Sequence, residues 1–140
     1  MFDTPMLLVV DDETAVCAAC RRILKRVGFY VHVSRHPRVG LGRAMVENYS
    51  AILLDAEMPE MDGFQFLERL RERKPNIPVT VMTGCPSEED AASAIRLGAS
   101  DYVAKPFTPA QITQCVHRML ALRDLSGQHT GGQEVKGRRG

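Results

Sequence analysis

Asp11 with Asp12, Asp55, Thr83 with Gly84, and Lys105 each follow a short strand-like run of the sequence. Carboxylates held together repel one another and raise each other's pKa unless a cation takes the gap between them. A donor set of oxygens, with neither histidine nor thiolate, favours Mg2+, which keeps some of its waters and leaves a place for a phosphoryl oxygen. Asp55 is then a candidate nucleophile, since a carboxylate oxygen can attack phosphorus in line and form an acyl phosphate. The ion, the Lys105 ammonium and the Thr83 hydroxyl would meet the charge on the three transferring oxygens. Gly84 has no side chain, so its backbone N–H is open to a phosphoryl oxygen.

These groups are far apart along the chain and need a scaffold to gather them. Leu7 to Val10, Tyr30 to Val33, Ala51 to Leu54, Val79 to Met82 and Asp101 to Ala104 read as five strands, with longer helical patterns between them. That alternation predicts an α/β fold, a (βα)5 doubly wound parallel sheet. The first, third and fourth runs are apolar in the manner of strands covered on both faces, whereas the second and fifth carry polar groups suited to edges. In such sheets ligands sit beyond the carboxyl ends of the strands, where strand order reverses. The flavodoxin-like order 2-1-3-4-5 sets strands one and three side by side there and brings Asp11, Asp12 and Asp55 together.

Helix one is expected on the stripe Val16, Cys20, Ile23, Leu24 and Val27, with Gly28 as its C-terminal cap. A second helix opens at Pro37, weakened by Gly40 and Gly42 at about 1 kcal/mol each relative to alanine. The third is expected from Gly63 to Arg73, capped by Asp62, with Phe64, Leu67 and Leu70 inward; the fourth starts at Ser87 and ends at Gly98. Thr108-Pro109-Ala110-Gln111 opens the fifth, whose buried face would be Ile112, Cys115, Val116, Met119 and Leu120.

A chain of 140 residues suits one domain, here residues 6–125. Its 18 lysines and arginines nearly balance 17 aspartates and glutamates, so no global field draws it to nucleic acid or an anionic membrane. Met6 to Val10 is too short for a signal-peptide core and no longer apolar run could span a bilayer, so a cytoplasmic location is expected. Residues 126–140 are polar and glycine-rich and are expected to form a flexible tail without a function of its own. Cys17 and Cys20 form a C-x-x-C, but they lie within a helical pattern and nothing completes a zinc set; Cys20 and Cys115 read as small core residues.

Four segments taken together resemble the receiver domains of bacterial response regulators, the CheY-like superfamily of two-component systems. They are Leu7 to Glu13, Leu53 to Gly63, Val81 to Gly84 and Gly98 to Phe107, each at a strand end and in order. The resemblance implies a phosphorylation-activated switch, in which Asp55 takes a phosphoryl group from a phosphohistidine of a sensor kinase or histidine phosphotransfer protein. It implies that Asp12 and Asp55 bind Mg2+ directly, that Asp11 assists through water and that Glu57 offers its backbone carbonyl. It further implies a cis Lys105-Pro106 bond, and a switch in which Tyr102 moves inward as the Thr83 hydroxyl turns to the phosphate. The surface of the fourth helix, fifth strand and fifth helix would then change partners, and helix one, with Ala15, Ala18, Ala19 and Arg22, would face the kinase.

No output domain fits after Leu125, so a complete protein would have to signal by docking; whether the chain is a complete single-domain regulator or the front end of a longer one is left open, as is oligomeric state, a phosphorylation-dependent dimer included. The protein would be no enzyme beyond the phosphorylation and dephosphorylation of its own aspartate. Glu57, two residues past the nucleophile, and Cys85, two past the threonine, depart from the commonest pattern and bear on phosphate lifetime. A phosphatase of the haloacid dehalogenase type would also use an aspartate after an apolar strand with an acid two positions on, here Asp55 and Glu57. That family needs a second acidic pair, which is missing after Lys105.

Overall fold

The computed structural model describes residues 4–130. Strands and helices alternate as β1 (Met6–Val10), α1 (Thr14–Arg26), β2 (Tyr30–Ser34), α2 (Pro37–Val46), β3 (Ala51–Asp55), α3 (Gly63–Arg73), β4 (Val79–Thr83), α4 (Glu88–Arg96), β5 (Asp101–Ala104) and α5 (Pro109–Thr130). All strand pairs are parallel and the order is β2-β1-β3-β4-β5. β2 and β5 are the edges, as their polar residues foretold; Tyr30 at the open edge is 62% exposed.

Successive strand side chains point to opposite faces, and both faces here are apolar. Leu7, Val9, Ala51 and Leu53 pack with Cys17, Cys20 and Leu24 of α1 and Ile112, Val116 and Met119 of α5. Leu8, Val10, Ile52 and Leu54 pack on the other face with Ala44 of α2, Phe66, Leu67 and Leu70 of α3 and Ala94 of α4. The apolar runs are thus continuous because each strand supplies two cores. With β1 and β3 hydrogen-bonded from Leu7↔Ala51 to Val10↔Leu54, Asp11 and Asp55 emerge together at the same end of the sheet.

The helix ends follow the local chemistry. Asp62 and Gln65 form a reciprocal capping box at α3, the Ser87 hydroxyl accepts from the Asp90 N–H at α4, and Thr108 and Gln111 bond reciprocally at the start of α5. Gly28 and Gly98 take positive φ past α1 and α4. Gly40 lowers helix propensity but lets α2 approach the sheet, because a Cβ there would lie 3.1 Å from both Val10 methyls. The Arg71 guanidinium reaches from α3 to the carbonyls of Leu97 and Gly98 after α4, at 3.2 and 2.8 Å.

Details of the expected helix faces change. In α3 the buried stripe is Gly63, Phe66, Leu67 and Leu70, and Phe64 is half-buried. The two phenylalanines are two residues apart and cannot share one helical face; the i, i+3, i+4, i+7 stripe selects Phe66. Val27 caps α1 and is 48% exposed, while Cys17 occupies the buried face; Leu120 is half-buried. The boundary expected at Leu125 falls inside α5, because an established helix adds one hydrogen bond for each residue it orders. The rest of the expected tail, 131–140, lies outside the described residues.

Candidate functional site

The carboxyl ends of β1 and β3 gather three carboxylates, and those of β4 and β5 bring Thr83 and Lys105 to the same end of the sheet. Asp11 and Asp55 are essentially buried and Asp12 half-buried, and each offers a carboxylate oxygen within 4.8 Å of the others. The Asp11 Oδ1 accepts from the Glu13 N–H at 2.8 Å. Its Oδ2 is buried without an aligned hydrogen bond, although the Lys105 ammonium lies 2.8 Å away. An incompletely satisfied buried carboxylate oxygen, beside two further carboxylates, suits a hard divalent cation. The chemistry of this donor set therefore fits Mg2+.

Lys105, carried by the turn after β5, converges on three acids: Asp11 at 2.8 Å, Glu13 at 2.8 Å and Asp55 at 3.1 Å. Burial disfavours its charge, but the close carboxylates of Asp11, Glu13 and Asp55 outweigh burial and hold its pKa above the ordinary lysine value. In sequence Glu13 is only part of an acidic run; its pairing with Lys105 needs the fold. The peptide between Lys105 and Pro106 is cis.

Asp55 is 1% exposed. Burial and then the charge of Asp11 push its pKa up to about 7, against the opposing pull of Lys105 and of the Glu57 N–H. The loop behind it is held close by Gly63, whose N–H donates to the Ala56 carbonyl at 2.8 Å. A Cβ on Gly63 would fall 2.4 Å from the Asp55 carbonyl oxygen, so α3 can start against β3 only with glycine there.

Thr83 ends β4 and is fully buried. Its hydroxyl donates to Glu57 Oε2 at 2.6 Å and accepts from the Cys85 N–H at 3.0 Å. The Gly84 N–H donates to Glu57 Oε1 at 3.3 Å, and a Cβ on Gly84 would meet nothing within 4 Å. Thr83 and Gly84 thus lie at the end of β4, next to the end of β3 that carries Asp55, and the Glu57 side chain holds both. Tyr102 on β5 is half-buried, and its hydroxyl accepts from the Ser87 N–H at 3.3 Å, which links β5 to the start of α4. Ala15, Val16 and Ala19 of α1 line an open hollow beside Lys105, Pro106 and Phe107.

Cys17, Cys20 and Cys115 are buried, whereas Cys85 is exposed. Burial foremost, with nearby negative charge, raises their pKa values to about 11, 12 and 11. Neutral buried thiols agree with the core reading of Cys20 and Cys115.

A five-stranded parallel sheet covered on both faces, with carboxylates gathered where strand order reverses, defines the flavodoxin-like class of α/β proteins. Within that class the sequence matches the response regulator receiver domain over residues 7–117, and the chain belongs to that family of two-component signalling proteins. It is 35% identical over 114 residues to the transcriptional regulatory protein SrrA of Staphylococcus aureus, covering 81% of this chain and 47% of that protein. The chain therefore spans about half the length of such curated relatives.

Among solved structures, a CheY-like receiver domain protein from Methanospirillum hungatei superposes with a TM-score of 0.85 at 26% identity, covering 89% of this chain and all of that one. Vibrio cholerae chemotaxis protein CheY4 gives 0.80 at 26% identity, covering 84% of this chain and all of its own. Among the described residues no helix is long and apolar enough to cross a membrane.

Proposed function

We propose that this receiver domain is a phosphorylation switch in which Asp55 is the acceptor. The carrying observation is the setting of Asp55, buried at the end of β3 with the Lys105 ammonium at 3.1 Å and two further carboxylates within reach of a shared cation. The donor in this reading is a phosphohistidine on a sensor kinase or phosphotransfer protein. An Asp55 oxygen forms the new O–P bond as the histidine N–P bond breaks, and the imidazole leaves with the electron pair and takes up a proton. Lys105 neutralises one developing charge and orients the carboxylate. The Thr83 hydroxyl and Gly84 N–H are the remaining donors for the transferring oxygens.

Asp12 and Asp55 would hold Mg2+ directly, with Asp11 behind them and the Glu57 carbonyl at the loop side. The ion, when bound, offsets carboxylate repulsion and the negative charge of the phosphoryl group. No substrate other than its own aspartate is part of this reading, and a cytoplasmic location is. The output surface is α4, β5 and α5, reached from the site through Thr83 and Tyr102, with a downstream protein or a second copy of the domain as partner. α1, beside the hollow lined by Ala15 and Ala19, faces the phosphodonor.

The test is a time course with acetyl phosphate and Mg2+ in which bound phosphoryl and free phosphate are both measured. Labelling that rises to at most one phosphoryl group per chain supports the switch. Sustained turnover of a phosphate ester would instead support a phosphatase.

A further inference from the structure

The donors assigned above to the phosphoryl oxygens are already engaged. Glu57 Oε2 accepts from the Thr83 hydroxyl at 2.6 Å, and its other oxygen, Oε1, accepts from the Gly84 N–H at 3.3 Å. Two oxygens of one carboxylate thus take two donors on adjacent residues, as two oxygens of a phosphoryl group would. The Thr83 hydroxyl is fixed from the other side too, accepting from the Cys85 N–H at 3.0 Å. Glu57 itself is exposed, and among the described residues no basic side chain forms an ion pair with it. Its carboxylate is therefore held by these neutral donors rather than by a cation, and water is ready to receive it when it leaves.

We infer that Glu57 is a positioning residue that occupies the phosphoryl-oxygen donors of the resting domain and must be displaced before Thr83 and Gly84 can engage phosphate. This inference rests on the reading of Asp55 as acceptor. The Glu57 carboxylate and a phosphoryl group are both anions and cannot share a single hydroxyl proton and a single amide proton. Each phosphorylation event thus includes release of Glu57 to solvent. The receiver is thereby biased toward its resting arrangement, and transient phosphorylation is less able to turn the Thr83 hydroxyl inward.

The test uses beryllium fluoride with Mg2+, a noncovalent phosphoryl analogue, on the wild type, Glu57→Ala, Glu57→Gln, Thr83→Ala and the Thr83→Ala/Glu57→Ala double variant. Removing the competitor should tighten binding about tenfold, equivalent to about 1.4 kcal/mol, with Glu57→Gln in between. The gain from Glu57→Ala should shrink on the Thr83→Ala background, because part of the competition is gone. In the absence of beryllium fluoride, the Gly84 amide resonance should move in Glu57→Ala, reporting the lost hydrogen bond.

If the gain is the same in both backgrounds and the Gly84 amide does not move, Glu57 acts only through its charge and the inference is overturned, while the acceptor reading stands. If the wild type neither binds the analogue nor takes a phosphoryl group from acetyl phosphate, the acceptor reading fails and this inference with it.

Discussion

Replacing Asp55 with asparagine should stabilise the metal-free protein at neutral and alkaline pH, although it removes the proposed acceptor. The folded protein holds the Asp55 pKa at about 7, raised from 3.8 by burial and by Asp11. Below pH 3.8 the carboxyl is protonated in both the folded and unfolded chains and its charge costs nothing. As pH rises toward 7, the unfolded chain has released the proton while the folded chain keeps it. Fewer protons bound to the unfolded state mean stability that falls with pH, and the loss is complete above the folded value. At about 1.4 kcal/mol per pH unit, the displacement from 3.8 to about 7 corresponds to about 4 kcal/mol.

Asparagine removes that ionisation while Lys105 keeps Asp11 and Glu13 as partners. Asp55→Asn should therefore exceed the wild type by roughly 2 to 4 kcal/mol at pH 8, with the difference closing by about pH 4. Urea unfolding of both proteins with a chelator, from pH 4 to 8, measures this directly. A variant no more stable at pH 8, or a difference that does not change with pH, would refute the placement of Asp55 in a buried, repulsive site.

Thr83→Ala should still accept phosphate on Asp55 but lose the phosphorylation-dependent change at Tyr102, read by NMR; an unchanged Tyr102 response would remove Thr83 from the output path. Gly63→Ala should cost about 2 kcal/mol or more, because its Cβ would meet the Asp55 carbonyl at 2.4 Å, and a wild-type urea midpoint would contradict that packing. By contrast, Gly42→Ala in α2 meets open space and should stabilise by up to about 1 kcal/mol in the same assay. In native protein at pH 8 a thiol reagent should modify Cys85 rapidly and Cys17, Cys20 and Cys115 only on unfolding, so several fast thiols would argue against the core assignments.

The features legible in the sequence were those written in local patterns. Apolar strands, capping residues such as Asp62 and Thr108, and polar residues at strand ends give the element order, and the edge character of β2 and β5 gives much of the topology. Asp11, Asp12 and Asp55 could be joined because parallel topology alone brings the ends of β1 and β3 together. What remained hidden depends on where long side chains reach. Glu13 could equally have been a solvated helix-start residue, and only the turn after β5 brings Lys105 to it across 92 positions of sequence.

The same holds for Glu57. Its unusual position two residues after Asp55 is visible in the sequence, but its grip on Thr83 and Gly84 requires β3 and β4 to be neighbours and the side chain to fold across them. The sequence reading puts Phe64 inward in α3 where the structure buries Phe66; the two differ by which helical stripe meets the sheet, which propensity does not decide.

The central claim is that Asp55 is the phosphoryl acceptor. Intact-mass analysis after incubation with acetyl phosphate and Mg2+ tests it most directly on wild type and Asp55→Asn side by side. The account predicts that the wild type gains one phosphoryl group, that Asp55→Asn gains none, and that a chelator abolishes the gain. A wild type that stays unmodified, or an Asp55→Asn protein labelled to the same extent, would contradict it.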